Sequence, residues 1–198
     1  MSIIDSFYKR AFDFFFACVG LIVFWPVIFV CWFIATIETR SNGIFKQERV
    51  GRYGRSIYVL KIKTMHDAKH VASAITALNT ARITRSGAVF RRYKLDELPQ
   101  FWNVLRGDMS FVGPRPDVKG YADRLEGDDA VILKLRPGIT GPASLKYHNE
   151  ESILAAVDNP KLYNDSVIWP DKVSINREYY AKQCLSLDVR IIIETLLK

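Results

Sequence analysis

A chain of 198 residues has room for one moderate core, which argues against two independent soluble domains and for one folded domain with an appendage. Its 28 Lys plus Arg against 21 Asp plus Glu leave a formal charge of +7, suited to phosphates, acidic lipid headgroups or nucleic acid without choosing among them. Cys18, Cys31 and Cys184 make an odd count with no paired metal-type spacing, and two of them fall in an apolar run, so the composition speaks against a disulfide framework and for a reduced, cytosol-facing protein.

Phe14 to Ile37 is a run of 24 residues without a charge, bounded by Lys9, Arg10 and Asp13 before it and by Glu38 and Arg40 after it. A secretory signal would have an apolar core of roughly 7 to 15 residues and then a small-residue cleavage site, and Ala35-Thr36-Ile37-Glu38 is a poor one; the run is expected to stay as a membrane segment. A straight helix of that length, at about 1.5 Å per residue, would reach roughly 36 Å and cross a hydrocarbon core of about 30 Å. Pro26 at its midpoint removes a backbone donor and clashes toward Ile22, which predicts a kink between two halves, each too short to cross. Arg40 to Lys63 carries seven basic residues against Glu48 alone, so both ends prefer the cytosolic side. The expectation is a helix-break-helix anchor over residues 1–40 that enters and returns at Pro26, with residues 41–198 as a domain on the inner leaflet; a kinked single span is the alternative.

Gly43 to Gln47 and Ile57 to Lys63 read as short strands around the turn Gly51-Arg52-Tyr53-Gly54-Arg55, a small hairpin beside the membrane. His66 to Leu78 is alanine-containing and of mixed character, a candidate helix, followed by a loop at Thr84-Arg85-Ser86-Gly87. In Asp96 to Leu105 the apolar residues 98, 101, 102 and 105 follow the i, i+3, i+4, i+7 pattern of a buried helix face, with Asp96 at the N-cap, Pro99 in the first turn and a stop near Gly107. Phe111 to Pro116 and Leu135 to Gly141 are stiff turns that present Arg115 and Arg136 between constrained neighbours, and Leu187 to Leu197 is a short apolar helix. The fold class expected is α/β, mainly helical with one small β-hairpin, and membrane-associated.

The chemistry concentrates around Asp96-Glu97. An aspartate can attack phosphorus, but its charge must be steered toward an anionic diphosphate by a metal or by arginines. Arg82, Arg85, Arg91, Arg92, Lys94 and Arg106 surround the pair in sequence, and adjacent carboxylates offer oxygens for Mg²⁺. Taken alone the pair is equally the ordinary device of an acidic cap and first-turn glutamate, and the basic runs equally a solvated or lipid-facing surface. His66 and His70, four apart, have no further ligand at metal spacing, His148 is unassigned, and there is no phosphate-loop, G-x-G-x-x-G or D-x-D motif.

The segment Lys94-Leu95-Asp96-Glu97-Leu98-Pro99-Gln100-Phe101-Trp102-Asn103-Val104-Leu105-Arg106-Gly107-Asp108-Met109-Ser110-Phe111-Val112-Gly113-Pro114-Arg115-Pro116 closely resembles the bacterial sugar transferase family, the monotopic polyprenyl-phosphate phosphoglycosyl transferases of the small, catalytic-domain-only type. The likeness extends to Lys9-Arg10 with Asp13, to Phe45 through Gly51, to Lys61 through Met65, to Arg136 through Gly141, and to Tyr179-Tyr180 with Leu187-Asp188. The resemblance implies that residues 41–198 are the catalytic domain and that Asp96 attacks the sugar-bearing phosphate of a UDP-sugar, expelling UMP, before polyprenyl phosphate takes the phosphosugar. It implies Mg²⁺ held at Asp96 and Glu97, and Gln47, Arg49, Lys61, Lys63, Arg91, Arg115 and Arg136 as substrate- or phosphate-binding residues. It also implies a re-entrant anchor breaking at Pro26, the cytosolic face of a bacterial inner membrane, and no nucleic-acid partner. Downstream glycosyltransferases and a second copy of the chain are the protein partners such an enzyme would meet. A glycosyltransferase that releases UDP, and a membrane-anchored scaffold, are the rival readings. Two departures stand out: the family often has serine where this chain has Trp25, and many relatives carry an Asn- or Ser-Gly-Arg turn where this chain reads Pro142 to Glu151. That stretch, with the segment to Trp169, is expected to help shape the nucleotide or sugar pocket.

Overall fold

The computed structural model describes residues 3–67 and 82–198, so most of the candidate helix from His66 to Leu78, including His70, lies outside the described residues. Helix α1 (Ile3–Thr39) is followed by the strands β1 (Ile44–Val50) and β2 (Ser56–Ile62), which pair antiparallel from Ile44↔Ile62 to Val50↔Ser56. The hairpin expected from sequence is thus present and longer in its first strand, and it turns through positive φ at Tyr53 and Gly54.

The expected interruption of the anchor is corrected: helical backbone runs without a break through Pro26. Continuing the helix leaves the Ile22 carbonyl as the group without its donor, whereas a break would free several backbone groups in a segment with nothing polar to receive them. Asp13, Ala17, Gly20, Cys31, Ala35 and Thr39, spaced by threes and fours to either side of the midpoint, are the buried face of α1, while Ile22 to Val27 are exposed on every side.

Small residues on that face let the domain approach closely. Ala17 joins Val59, Val104 and Met109 in one apolar cluster, and Cys31 and Ala35 join Ile62 and Phe90 in a second. Because β2 supplies a residue to each cluster, the hairpin bridges the two arms of α1. Glu38, near the end of α1, accepts from the backbone of Arg85 at 2.9 Å, and so caps α2 (Arg85–Arg92) together with its own N-cap Thr84. The sequence reading placed a loop over Thr84 to Gly87; those residues are instead the cap and first turn of this helix.

Helix α3 (Gln100–Arg106) ends on Gly107 at φ 89. Its buried residues are Gln100, Asn103 and Val104, not the 98/101/102/105 stripe expected. That stripe is half-exposed: Phe101 lies against Gly20 and Phe24 of α1, and Trp102 is 47% exposed. The apolar side of α3 therefore meets the anchor, and its polar side meets the hairpin. Asn103 accepts from the backbone N–H of Leu60 at 3.0 Å and donates to the carbonyl of Tyr58 at 2.7 Å, standing in for a neighbouring strand along the free edge of β2.

The two arginine-bearing turns expected from sequence contain short strands that pair in parallel, β3 (Ser110–Val112) with β4 (Gly138–Thr140). A Cβ at Gly138 would stand 2.2 Å from the Gly113 nitrogen, so glycine is what lets these segments come together. Helices α4 (Pro142–Lys146), α5 (Glu150–Ala155), α6 (Pro160–Tyr163), α7 (Trp169–Lys182) and α8 (Leu185–Leu196) complete the described fold. Tyr179 of α7 and Ile191 of α8 cover Val112 and Leu135, and the buried Asp188 receives Lys9 of α1 and the Tyr179 hydroxyl.

Replacing Asn103 with alanine leaves a partly buried donor and acceptor of β2 unpaired. At roughly 1 kcal/mol each, the low end for groups partly open to water, the variant should lose about 2 kcal/mol of stability, measured by chemical denaturation in detergent.

Candidate active site

Lys94 adopts φ 56, ψ 21, a left-handed conformation that costs a non-glycine residue roughly 1–2 kcal/mol. It reverses the chain after α2 so that Leu95–Glu97 forms a single 3-10 turn directed back toward the hairpin. Asp96 does not cap α3. The helix begins only at Gln100, its cap position is held by Pro99 with no side-chain hydrogen bond, and the Asp96 side chain turns inward, 8% exposed as a residue. Pro99 carries no N–H for a capping carboxylate to accept, which removes one of the donors a cap would serve.

The two carboxylates have opposite environments. Glu97 Oε1 accepts from Lys61 Nζ at 2.8 Å and from Arg115 Nη2 at 3.0 Å. Burial works against its charge, but Arg115 and Lys61 overcome burial and hold the carboxyl far below the usual carboxylate range. Asp96 receives no hydrogen bond from the described residues. Burial, reinforced by the charge of Glu97, pushes its carboxyl up, against the opposing pull of Lys61, Arg91 and Lys94. The pair thus consists of one clamped anion and one carboxylate that is short of partners, the pattern of divergent roles in a working site.

Of the other residues expected at the site, Arg91 lies where its charge reaches Asp96, with Glu151 at 3.8 Å on its far side. Arg49 is held by Gln47 Oε1 at 2.6 Å and reaches the Pro116 carbonyl at 3.5 Å, so this pair supports the loop that carries Arg115. Two residues point elsewhere. Lys63 donates to Ser41 Oγ at 2.6 Å and pairs with Asp67 at 2.7 Å, beside the end of the anchor. Arg136 donates to the Gly107 carbonyl at 3.0 Å, next to Arg10, which takes the carbonyls of Val104 and Leu105 at 2.7 and 2.8 Å. Both arginines complete the open C-terminus of α3. Asp117 and Lys172, not singled out from sequence, come to the rim with Glu150, which lies in the stretch expected to shape the pocket: Lys172 Nζ lies 2.7 Å from both Glu150 oxygens, and the charges of Lys172, Arg49, Arg115 and Glu150 all act on Asp117. The signal of Asp117 in the sequence is that it stands two residues beyond Arg115.

A family model described as bacterial sugar transferase matches residues 4–198, which takes in the anchor and every side chain of this site. The chain belongs to the bacterial sugar transferase family. Among curated members it is 32% identical over 183 residues to the exopolysaccharide production protein ExoY of Rhizobium meliloti, covering 81% of each chain. It is 33% identical over 208 aligned positions to the UDP-glucose:undecaprenyl-phosphate glucose-1-phosphate transferase of Escherichia coli, covering all of this chain and 41% of that one. Similarity to the UDP-N-acetylgalactosamine-undecaprenyl-phosphate N-acetylgalactosaminephosphotransferase of Aeromonas hydrophila is 29% over 197 residues, 98% of this chain and 44% of the other. The chain therefore spans less than half the length of the latter two relatives.

In chemical terms the site sets a carboxylate short of partners beside fixed cations. The raised carboxyl of Asp96 has a consequence for stability. Its ionisation opposes folding at all pH above its folded-state value and has no effect below its ordinary value of 3.8. Asp96→Asn should therefore raise the unfolding temperature at neutral pH, by about 2–4 °C for each kcal/mol released, and the gain should fade as the pH is lowered toward 3.8, read by thermal unfolding across pH.

Proposed function

We propose that this chain transfers a phosphosugar from a UDP-sugar to polyprenyl phosphate, giving polyprenyl-diphosphate-sugar and UMP, as a first membrane step of glycan assembly. The observation that carries the reading is the buried Asp96, without a hydrogen bond from the described residues, next to a Glu97 whose charge is met by Lys61 and Arg115. An Asp96 oxygen attacks the sugar-bearing phosphorus, the bond to the bridging oxygen of the diphosphate breaks, and that oxygen leaves with UMP. An oxygen of the lipid phosphate then attacks the same phosphorus and frees the Asp96 carboxylate. Arg115, Lys61 and Arg91 counter the charge that accumulates on the phosphoryl oxygens, and Arg49 with Gln47 keeps the Arg115 loop in place. The names of the Escherichia coli and Aeromonas hydrophila relatives give a UDP-sugar and undecaprenyl phosphate, the same substrate pair.

Mg²⁺ fits the donor set. Among the described residues no three His, Cys, Asp or Glu side chains gather as a metal cage, but Mg²⁺ commonly takes only one or two carboxylates and completes its shell with phosphate and water. Asp96 and the Oε2 of Glu97 are the oxygens left for it, since Oε1 of Glu97 is taken by two cations. When bound, the metal would offset the negative charge of the diphosphate.

The anchor enters and leaves on the cytosolic side of the inner membrane in this reading. Two observations support it. Arg10 and Glu38, roughly 42 Å apart along a straight helix, are both bonded to the same domain, whereas a crossing helix would hold them on opposite faces. A helix lying flat would need a polar face, and the run from Phe14 to Ile37 has no charge while its middle is exposed all round.

UMP release from a panel of UDP-sugars, in nanodiscs with Mg²⁺ and polyprenyl phosphate, tests the reaction. Asp96→Asn should lower turnover by about 10⁴-fold or more, and chelation of the metal should stop it. Release of UDP, or turnover indifferent to Asp96, would overturn the reading in favour of the UDP-releasing enzyme or the scaffold. For the anchor, cysteines placed at Ser6 and Arg55 in a cysteine-free background should both react with an impermeant thiol reagent in inside-out vesicles; protection of one alone would mean a full span.

A further inference from the structure

Resting on the reaction above, we propose that Asp117, with the Glu150–Lys172 pair beside it, is the subsite that reads the hydroxyl groups of the sugar carried by the UDP-sugar. Asp117 is two residues past Arg115, in a loop stiffened by Pro114 and Pro116. Its backbone is fixed: the Val50 N–H donates to the Asp117 carbonyl at 2.8 Å, and Arg49 reaches the Pro116 carbonyl. Its side chain, in contrast, receives no hydrogen bond from the described residues, although Arg49, Arg115 and Lys172 are the cations whose charge reaches it. A positioned acceptor is thus left open at the rim of a site otherwise furnished with donors.

A carboxylate is repelled by a diphosphate, so Asp117 must face the part of the substrate that donates hydrogen bonds. Arg115 decides which part. Through Nη2 it holds Glu97 of the dyad, and together with Asp117 it lines a shallow cleft floored by Val50, Ala122 and Leu135. Attack occurs at the phosphorus that bears the sugar, and the ribose lies one phosphate further off. Groups one side chain from the dyad therefore meet the sugar first. The charged groups around it suit the hydroxyls of a pyranose. Lys172 provides the donor counterpart, held by both oxygens of Glu150 and with its ammonium 5.7 Å from the Tyr147 ring. Glu150 and Tyr147 belong to the stretch where this chain departs from the Asn- or Ser-Gly-Arg turn of many relatives.

Removal of a buried partner for a substrate hydroxyl has a large and selective effect on rate, because the unmatched group is left without its bond. UMP release would be measured for wild type, Asp117→Asn and Glu150→Gln with a panel of UDP-hexoses and UDP-deoxyhexoses. Asp117→Asn should lower kcat/KM for the best sugar by about 10²-fold. It should also erase the wild-type preference for that sugar over its analogue lacking the recognised hydroxyl, so that the two effects are not additive. Glu150→Gln should blunt the same preference to a smaller extent, and it serves if Asp117→Asn fails to fold. A loss equal for every UDP-sugar would overturn this subsite while leaving the reaction standing. So would an Asp117→Asn variant in which inhibition by free UMP weakens in step with kcat/KM, which would assign the carboxylate to the ribose. Wild-type protein silent toward the whole panel would take the reaction and the subsite down together.

Discussion

The carboxylate of Glu97 is shared between Lys61 and Arg115, and this three-way ion pair ties together the parts of the chain that make the site. Lys61 comes from β2, Glu97 from the turn before α3, and Arg115 from the loop after β3. The side chains of Lys61 and Glu97 are 23% and 14% exposed, so removing either partner would strand a charge in a poorly solvated place. The same arrangement leaves Asp96 as the carboxylate without a cation bonded to it. The adjacent ion pair does this by absorbing the nearby lysine and arginine.

The anchor is part of this architecture and not a tether attached to it. Ala17 on one arm and Cys31 with Ala35 on the other are buried against residues of the hairpin and of α2, so the hairpin that carries Lys61 is seated on α1 itself. Lys9 and Arg10 extend the seat, the first to Asp188 and the Val112 carbonyl, the second to the end of α3. The domain that carries the dyad is thus docked closely along the long apolar helix. Phe101 of α3 meets Gly20 and Phe24 on that same side.

Polar side chains do much of the positioning. Asn103 substitutes for a missing strand at the edge of β2, Arg10 and Arg136 close the C-terminus of α3, and Gln47 aims Arg49 at the Arg115 loop. Several of the residues that resemble the family's motif thus have structural partners of their own. Arg136 and Lys63, expected as phosphate-binding residues, bond to the Gly107 carbonyl and to Ser41.

What the sequence determined by itself was local or carried by one long motif. The uncharged run determined an apolar helix, alternation and turn residues determined the hairpin, and the segment from Lys94 to Pro116 pointed to the dyad and to Arg115. Tertiary structure decided the rest. Backbone continuity through Pro26 depends on what would receive the freed groups, and a break expected from proline alone does not take that into account. The buried face of α3 depends on which neighbour each side meets: periodicity found the apolar stripe, but the anchor and not the deep core covers it. Whether Asp96 caps a helix or stands free depends on the left-handed turn at Lys94, a strain that the surrounding contacts impose and that lysine does not advertise. Asp117, Glu150 and Lys172 are separated by tens of residues, and an ion pair at such separation leaves no periodic trace, so only the folded chain could bring them to one rim.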